Sequence, residues 1–251
     1  MKTIAIVNQK GGVGKTTTAI NLSTALGVYE KKTLLVDFDP QGNSTSGLGM
    51  NQSRIKYRIY DALIGRVDIQ KTIVPTNYKL LDIIPSDINL AGAEIELVKE
   101  YSREQKLKNV LTPVLEKYEY IIIDCPPSLG LLSINALTVS SHVIIPIQSE
   151  FYALEGVSQI INTIRLIKQS LNPNLEVLGI LLTMYDRRLK LSQLVRKDVE
   201  NYFGDKVFKT LIFRNVKLSE APSHGKSIFN YDIGSSGARD YLNLVKEVMK
   251  R

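Results

Sequence analysis

The stretch "NQKGGVGKTTT", residues 8–18, follows the apolar run "TIAIV" at 3–7. A phosphate-binding loop reads Gly, four residues, then Gly-Lys-Ser/Thr. Gly14, Lys15 and Thr16 fill the last three places, but Gln9 stands where the first glycine belongs. Beside it is Lys10, a second lysine that the pattern does not ask for. Gly11, Gly12 and Gly14, with Val13 among them and Thr17 after, allow a tight turn whose N–H groups aim at one spot. The helix that follows adds the positive end of its dipole. In that setting Lys15 reaches β- and γ-phosphates and the Thr16 hydroxyl ligates Mg²⁺. The competing reading is a glycine-rich turn without a ligand.

What surrounds the loop favours the ligand. Short runs rich in Ile, Val and Leu lie at 3–7, 33–38, 79–85, 120–124, 142–147 and 177–183. They lack in-out alternation, as strands buried on both faces do. Between them stand the helical patterns "TTTAINLSTALGVY", "SREQKLKNVLTPVLEKY", "LEGVSQIINTIRLIKQSL" and "LSQLVRKDVENYF", and "GARDYLNLVKEVMKR" follows the last. "IYDALIG" reads as a short helix within the looser stretch 48–75. Strand then helix, repeated, predicts an α/β fold: one mostly parallel, twisted sheet flanked by helices, with residues 1–251 as a single P-loop domain. Ligands of such sheets bind at the carboxyl ends of the strands, where the 8–18 loop sits.

Two further stretches put acid at the same rim. "LLVDFDPQGN" places Asp37 and Asp39 after the second apolar run, and "IIIDCPP" places Asp124 after another, in the manner of a Walker B aspartate. A magnesium nucleotide needs carboxylates there, usually acting through water. One aspartate after a strand is often a cap or turn residue; three on one side argue for a site.

Composition bounds the alternatives. The 251 residues are 44% hydrophobic and 23% charged, enough for a full core. The single Cys125 allows no internal disulfide or metal cluster and reads as a small buried residue. No signal peptide is expected, and no apolar run approaches the roughly 20 residues of a bilayer span. A cytoplasmic protein is the expectation. Net charge is +7. From Thr183 to Lys217 nine Lys or Arg face four Asp or Glu, so this segment carries most of the excess. It reads either as a solvated helix face or as a surface for polyanions.

"KGGVGKTT" resembles the deviant Walker A motif of the ParA/MinD ATPases. "DFDPQGNSTSGLG", "IIIDCPPSLGLLSINAL", "PIQSEFYALEG", "LLTMYDRR" and "RNVKLSEAPSHGKSI" resemble, in order, segments of the ParA/Soj partition ATPases. The likeness covers nearly the whole chain and matches the Soj-like chromosomal branch. Plasmid ParA proteins with an added amino-terminal DNA-binding domain match less well, because the loop stands at residue 8.

The resemblance implies roles. Lys10 matches the signature lysine that reaches the nucleotide of a partner subunit in an ATP-bound sandwich homodimer. Lys10, Lys15 and Asp39 form the catalytic set, with Asp39 positioning the attacking water. Asp37 and Asp124 lie near Mg²⁺ with Thr16. Asn215 matches a region that contacts adenine, with Phe213 where the family often has proline. His142 and His224 lie in other segments, so no histidine serves as general base, and slow intrinsic hydrolysis follows. ATP and Mg²⁺ are the implied cofactors.

The basic segment gains a function from the same likeness. Family members bind double-stranded DNA without sequence choice, as ATP dimers, and a ParB-type protein stimulates hydrolysis and releases them. Arg188 and Lys217 match DNA-contacting positions; Arg187, Lys190, Arg196, Lys197 and Arg214 are weaker candidates, with a role at the nucleotide as the alternative for Arg214. Association with the nucleoid, and with no membrane, follows. Two other members of the superfamily offer alternatives. A MinD-like membrane ATPase needs a free amphipathic last helix, whereas Tyr241, Leu242, Leu244, Val245 and Val248 read as a buried face. An electron-transfer ATPase like the nitrogenase iron protein needs more cluster ligands than Cys125.

Overall fold

The computed structural model describes residues 1–150 and 153–251. The chain opens with β1 (Lys2–Ile6), α1 (Lys15–Val28), β2 (Thr33–Asp37), α2 (Asn43–Gly47) and α3 (Ile59–Leu63). Then come β3 (Val74–Pro75), β4 (Leu81–Ile84), α4 (Leu90–Glu96), α5 (Lys106–Leu111) and β5 (Tyr120–Asp124). The second half holds α6 (Leu131–Val139), β6 (His142–Gln148), α7 (Ala153–Ser170), β7 (Glu176–Thr183) and α8 (Lys190–Phe203). It closes with α9 (Val216–Glu220), α10 (Ile228–Tyr231) and α11 (Ser236–Lys250).

All seven strands join one sheet, ordered β3-β4-β2-β5-β1-β6-β7. Every pairing is parallel except β3 with β4. The middle strands are buried along their whole length, which is why their sequences are continuous apolar runs. Two cores result. One face of the sheet packs Ile4, Leu35 and Ile122 against α1 and α11 through Leu22, Leu26, Leu244 and Val248. The other packs Val36, Ile121 and Ile145 against the layer that includes α6, α7 and α8.

The α/β class and its parallel order match the sequence reading. Three details differ. The pattern at 102–118 is not one helix: α5 ends at Leu111, and Thr112–Lys117 tightens into a 3-10 turn with Pro113 at its start. The strand expected from 79 begins at Leu81, because Leu80 takes a positive φ of 58°. The two-residue β3 and the helices α2, α4, α6, α9 and α10 are additions. Cys125 is buried as read.

Tyr241, Leu244, Val245 and Val248 of α11 are buried, and the Tyr241 hydroxyl meets Thr18 Oγ1 of α1 at 3.2 Å. The apolar side of the last helix is thus spent on the core. Leu244→Ala should cost about 2–5 kcal/mol of stability, read as a lower urea midpoint with an unchanged slope.

Candidate functional site

The parallel register builds the site. Asp37 and Asp124 are direct partners in the β2–β5 ladder, and Ile6 partners Asp124 on the other side. Two carboxylates therefore rise from adjacent strand ends, beside the strand that feeds the 8–18 loop. Gly14 closes that loop as the left-handed cap of α1, at φ 87°, a conformation that any Cβ would strain.

The loop is pinned from several sides. Asn8 Nδ2 donates to Pro146 O at 2.7 Å, and its Oδ1 accepts from Lys10 N at 2.9 Å. Thr183 Oγ1, at the end of β7, donates to Val13 O at 2.7 Å. Gln148 Nε2 donates to Gly12 O at 2.9 Å. Lys15 is only 6% exposed, and its ammonium donates to Lys10 O at 3.0 Å. Burial lowers its pKa, while Asp124 and Asp39 pull the other way. Lys10 behaves differently: its half-exposed ammonium pairs with Glu150 across the loop. One lysine faces inward toward the acids and the other outward.

The acids are held by groups that the motif reading did not single out. Ser44 Oγ donates to Asp124 Oδ2 at 2.8 Å. Thr45 gives Asp37 Oδ2 both its N–H, at 2.8 Å, and its hydroxyl, at 2.6 Å. Asp39 Oδ1 accepts from Gln41 N at 2.9 Å. Asp124 Oδ1 is buried without a hydrogen-bond partner, although the Thr16 hydroxyl is near enough to favour its charged form. The only sequence signal for Ser44 and Thr45 is their place in "DPQGNST", just after the aspartates.

Burial drives the pKa of Asp37 upward, with Asp124 adding repulsion, and burial likewise raises that of Asp124. Burial pushes the Cys125 thiol well up, so it stays protonated and inert.

An orphaned buried carboxylate oxygen next to a hydroxyl is a fit for a cation. Among the described residues no three His, Cys, Asp or Glu form a protein-only metal cage. Mg²⁺ commonly takes one or two carboxylates and completes its shell with water and phosphate oxygens, and Thr16 with Asp124 suits that pattern. Next to the loop lies a cavity of about 200 Å³ lined by Gly14, Thr17, Phe213, Asn215, Leu218 and Tyr241. Asn215 also caps α9 through Lys217 N at 2.8 Å, and its amide donates to Ser236 Oγ at 2.7 Å.

The basic segment is divided by the fold. Residues 184–189 and 213–217 lie side by side, since Tyr185 bridges Phe213 and Arg214 N donates to Tyr185 O at 3.1 Å. They bring Arg187, Arg188 and Lys217 to the carboxyl rim, where Lys190 opens α8. The Arg188 side chain is 84% exposed and forks onto Asp186 at 2.9 and 2.7 Å. The Arg187 guanidinium lies 4.7 Å over the Phe213 ring. Lys217 pairs with Glu220 at 3.0 Å. Lys206 and Lys209 are elsewhere, beyond the 14 residues of α8, about 20 Å along its axis. They line a groove with His142 and Glu176, at the amino ends of the strands. The nine cations of 183–217 are not one patch.

Residues 1–177 match a family model described as an AAA domain. The chain is 57% identical over 247 residues to the sporulation initiation inhibitor protein Soj of Bacillus subtilis, covering 98% of both chains. To the chromosome-partitioning ATPase Soj of Treponema pallidum it is 51% identical, covering 100% of this chain and 98% of that one. The chain belongs to the ParA/Soj family. Among solved structures, cobyrinic acid a,c-diamide synthase of Mycobacterium smegmatis with bound ADP and magnesium superposes at a TM-score of 0.87 with 35% identity, covering 100% of this chain and 94% of that one. The ParA/Soj segment "PIQSEFYALEG" includes Phe151 and Tyr152, which lie outside the described residues.

The paired carboxylates set a pH dependence. Their folded-state pKa values lie above the unfolded ones, so they favour the fold below about pH 4 and oppose it increasingly as pH rises toward neutrality. The nucleotide-free protein should therefore lose stability from this pair across that interval, and Asp37→Asn should flatten the loss. Thermal melts from pH 4 to pH 8 measure it; equal slopes for both proteins would refute the assignment.

Proposed function

We propose that residues 1–251 act as one ATP-dependent DNA-partition ATPase: an ATP-bound sandwich dimer that binds DNA without sequence choice and leaves it when a ParB-type partner stimulates hydrolysis. The observation that carries this reading is the division of labour between two lysines of one loop, with Lys15 buried against acids and Lys10 facing outward on an exposed partner. A single-subunit nucleotide site has use for the first. The second suits a phosphate brought up from outside the subunit, with Glu150 as the contact it gives up.

Lys15 and the N–H groups of Gly11, Gly12, Val13 and Gly14 would hold the phosphates, with Thr17, Phe213 and Asn215 toward the base. Thr16 and Asp124 would hold Mg²⁺, with Asp37 behind them. The ion would screen phosphate charge and align the chain for in-line attack. Asp39 has one oxygen fixed by Gln41 and no hydrogen bond to the other among the described residues, so it can orient a water. No histidine is placed at these groups, which supports a slow unassisted rate.

Support for the ParB-type partner is the likeness to the Soj proteins. The amide-forming role named for the solved neighbour rests on lower identity. No described helix is long and apolar enough to cross a membrane, and the apolar face of α11 is buried, which argues against a membrane-binding last helix; the nucleoid follows from the proposed DNA binding.

Three variants separate the steps. Lys15→Ala should abolish nucleotide binding. Lys10→Ala should bind ATP and fail to dimerise. Asp39→Ala should bind, dimerise and remain on DNA with hydrolysis suppressed. Calorimetry, light scattering and phosphate release read the three, and a Lys10→Ala protein that dimerises like wild type refutes the trans role.

For DNA, binding should require ATP or a slowly hydrolysed analogue and be absent with ADP or no nucleotide. Arg188→Ala and Lys217→Ala should each weaken binding to random duplexes. Each should also lower the log-log salt slope of a dimer by about 2, since two phosphate contacts vanish. Lys206→Ala, at the far end of α8, should leave the slope unchanged. Equal effects of all three substitutions would show that the rim is not the phosphate surface.

A further inference from the structure

α2 touches two parts of the molecule at once. On one side lie the carboxylates: Ser44 holds Asp124 and Thr45 holds Asp37, while Thr45 Oγ1 also accepts from Ser86 N at 3.0 Å. Ser44 and Thr45 are fully buried. A five-residue helix has no stability of its own in water, so these bonds and the packing around it set its position.

On the other side, the turn that ends α2 meets the turn that follows α9. Gly49 and Gly225 both have positive φ, 69° and 61°, and touch backbone to backbone. A Cβ on Gly49 would fall 2.7 Å from Gly225 O, and one on Gly225 would fall 2.6 Å from Gly49 Cα. Gly47 is closed in similarly, with Ile20 at 2.7 Å and Pro222 at 3.7 Å from where its Cβ would be. The Gly225 turn is bonded back toward α9, with Gly225 N donating to Pro222 O at 2.9 Å and Lys226 N to Ala221 O at 3.1 Å. α9 carries Lys217 and Glu220, and Tyr231 OH donates to Glu220 at 2.9 Å.

We infer that α2 and the Gly49–Gly225 contact link the carboxylate site to the surface that carries Lys217, so that filling the nucleotide site repositions the DNA-binding rim. Ser44 and Thr45 are positioning residues in this link. Side chains can absorb a small displacement by changing rotamer. Two backbones in contact cannot, so a shift of α2 must move the Gly225 turn or break the contact. The inference rests on the nucleotide and DNA reading given above and specifies which part of the chain joins the two.

Two experiments test it on the full chain. In hydrogen exchange without DNA, adding a slowly hydrolysed ATP analogue to the wild type should slow exchange at 42–50 and at 221–226 together, the latter lying outside the cavity that takes the base. This needs no variant. In the second, analogue affinity is measured with and without random duplex DNA. Coupling is reciprocal, so DNA should tighten analogue binding by the same factor as the analogue tightens DNA binding. In Gly225→Ala that factor should fall about tenfold or more, while analogue affinity without DNA and analogue-driven dimerisation stay at wild-type values. A wild type that never binds DNA would sink the functional reading and this inference together. A wild type that binds DNA, but shows no protection at 221–226, sinks the inference alone. So does a folded Gly225→Ala protein with full coupling.

Discussion

The register of β2 on β5 is the constraint on which the rest depends. Because Asp37 faces Asp124 across one rung, two acids share a water-poor space at the sheet's rim. Like charges that close, away from solvent, raise each other's free energy. The surrounding chain is arranged to lower it: Lys15 is drawn inward, Ser44 and Thr45 supply hydroxyls, and Thr45 adds a backbone N–H. What remains uncompensated is one oxygen of Asp124. The site is an electrostatic demand held by a buried frame, since both strands are buried along their whole length.

That frame explains why a loop that departs from the usual phosphate pattern still keeps its shape. Gln9 replaces a glycine, yet the path of the chain is fixed from outside the loop by Pro146, Gln148 and Thr183. These residues come from β6 and β7, strands that reach the loop only through the sheet. The shape of 8–18 is therefore as much a property of the sheet order as of the glycines.

Much of this was legible in the chain. Strands such as 120–124 and 177–183 announce themselves because burial on both faces demands unbroken Ile, Val and Leu. The aspartates could be placed because a strand end fixes where its last side chain points. Ser44 and Thr45 could not, since a hydroxyl's partner depends on angstrom-scale geometry that no spacing encodes. α6 carries little contrast between its faces, so no period marks it. The basic segment misled for another reason: counting charge along sequence ignores that α8 carries the chain from one end of the sheet to the other. Arg188 and Lys206 are near in number and far in space.

The Lys10–Glu150 pair bears on how selective the proposed encounter between subunits would be. A lysine already holding a carboxylate is a poor lure for stray anions, because any newcomer must outbid a neighbour that is always present. Chloride, or a lone phosphate group, offers little more than Glu150 does. A polyphosphate, with several charges on adjacent oxygens, offers much more. If Lys10 meets a partner's nucleotide as proposed, the intrachain pair would favour strong anions over weak ones, by the modest amount an exposed ion pair is worth.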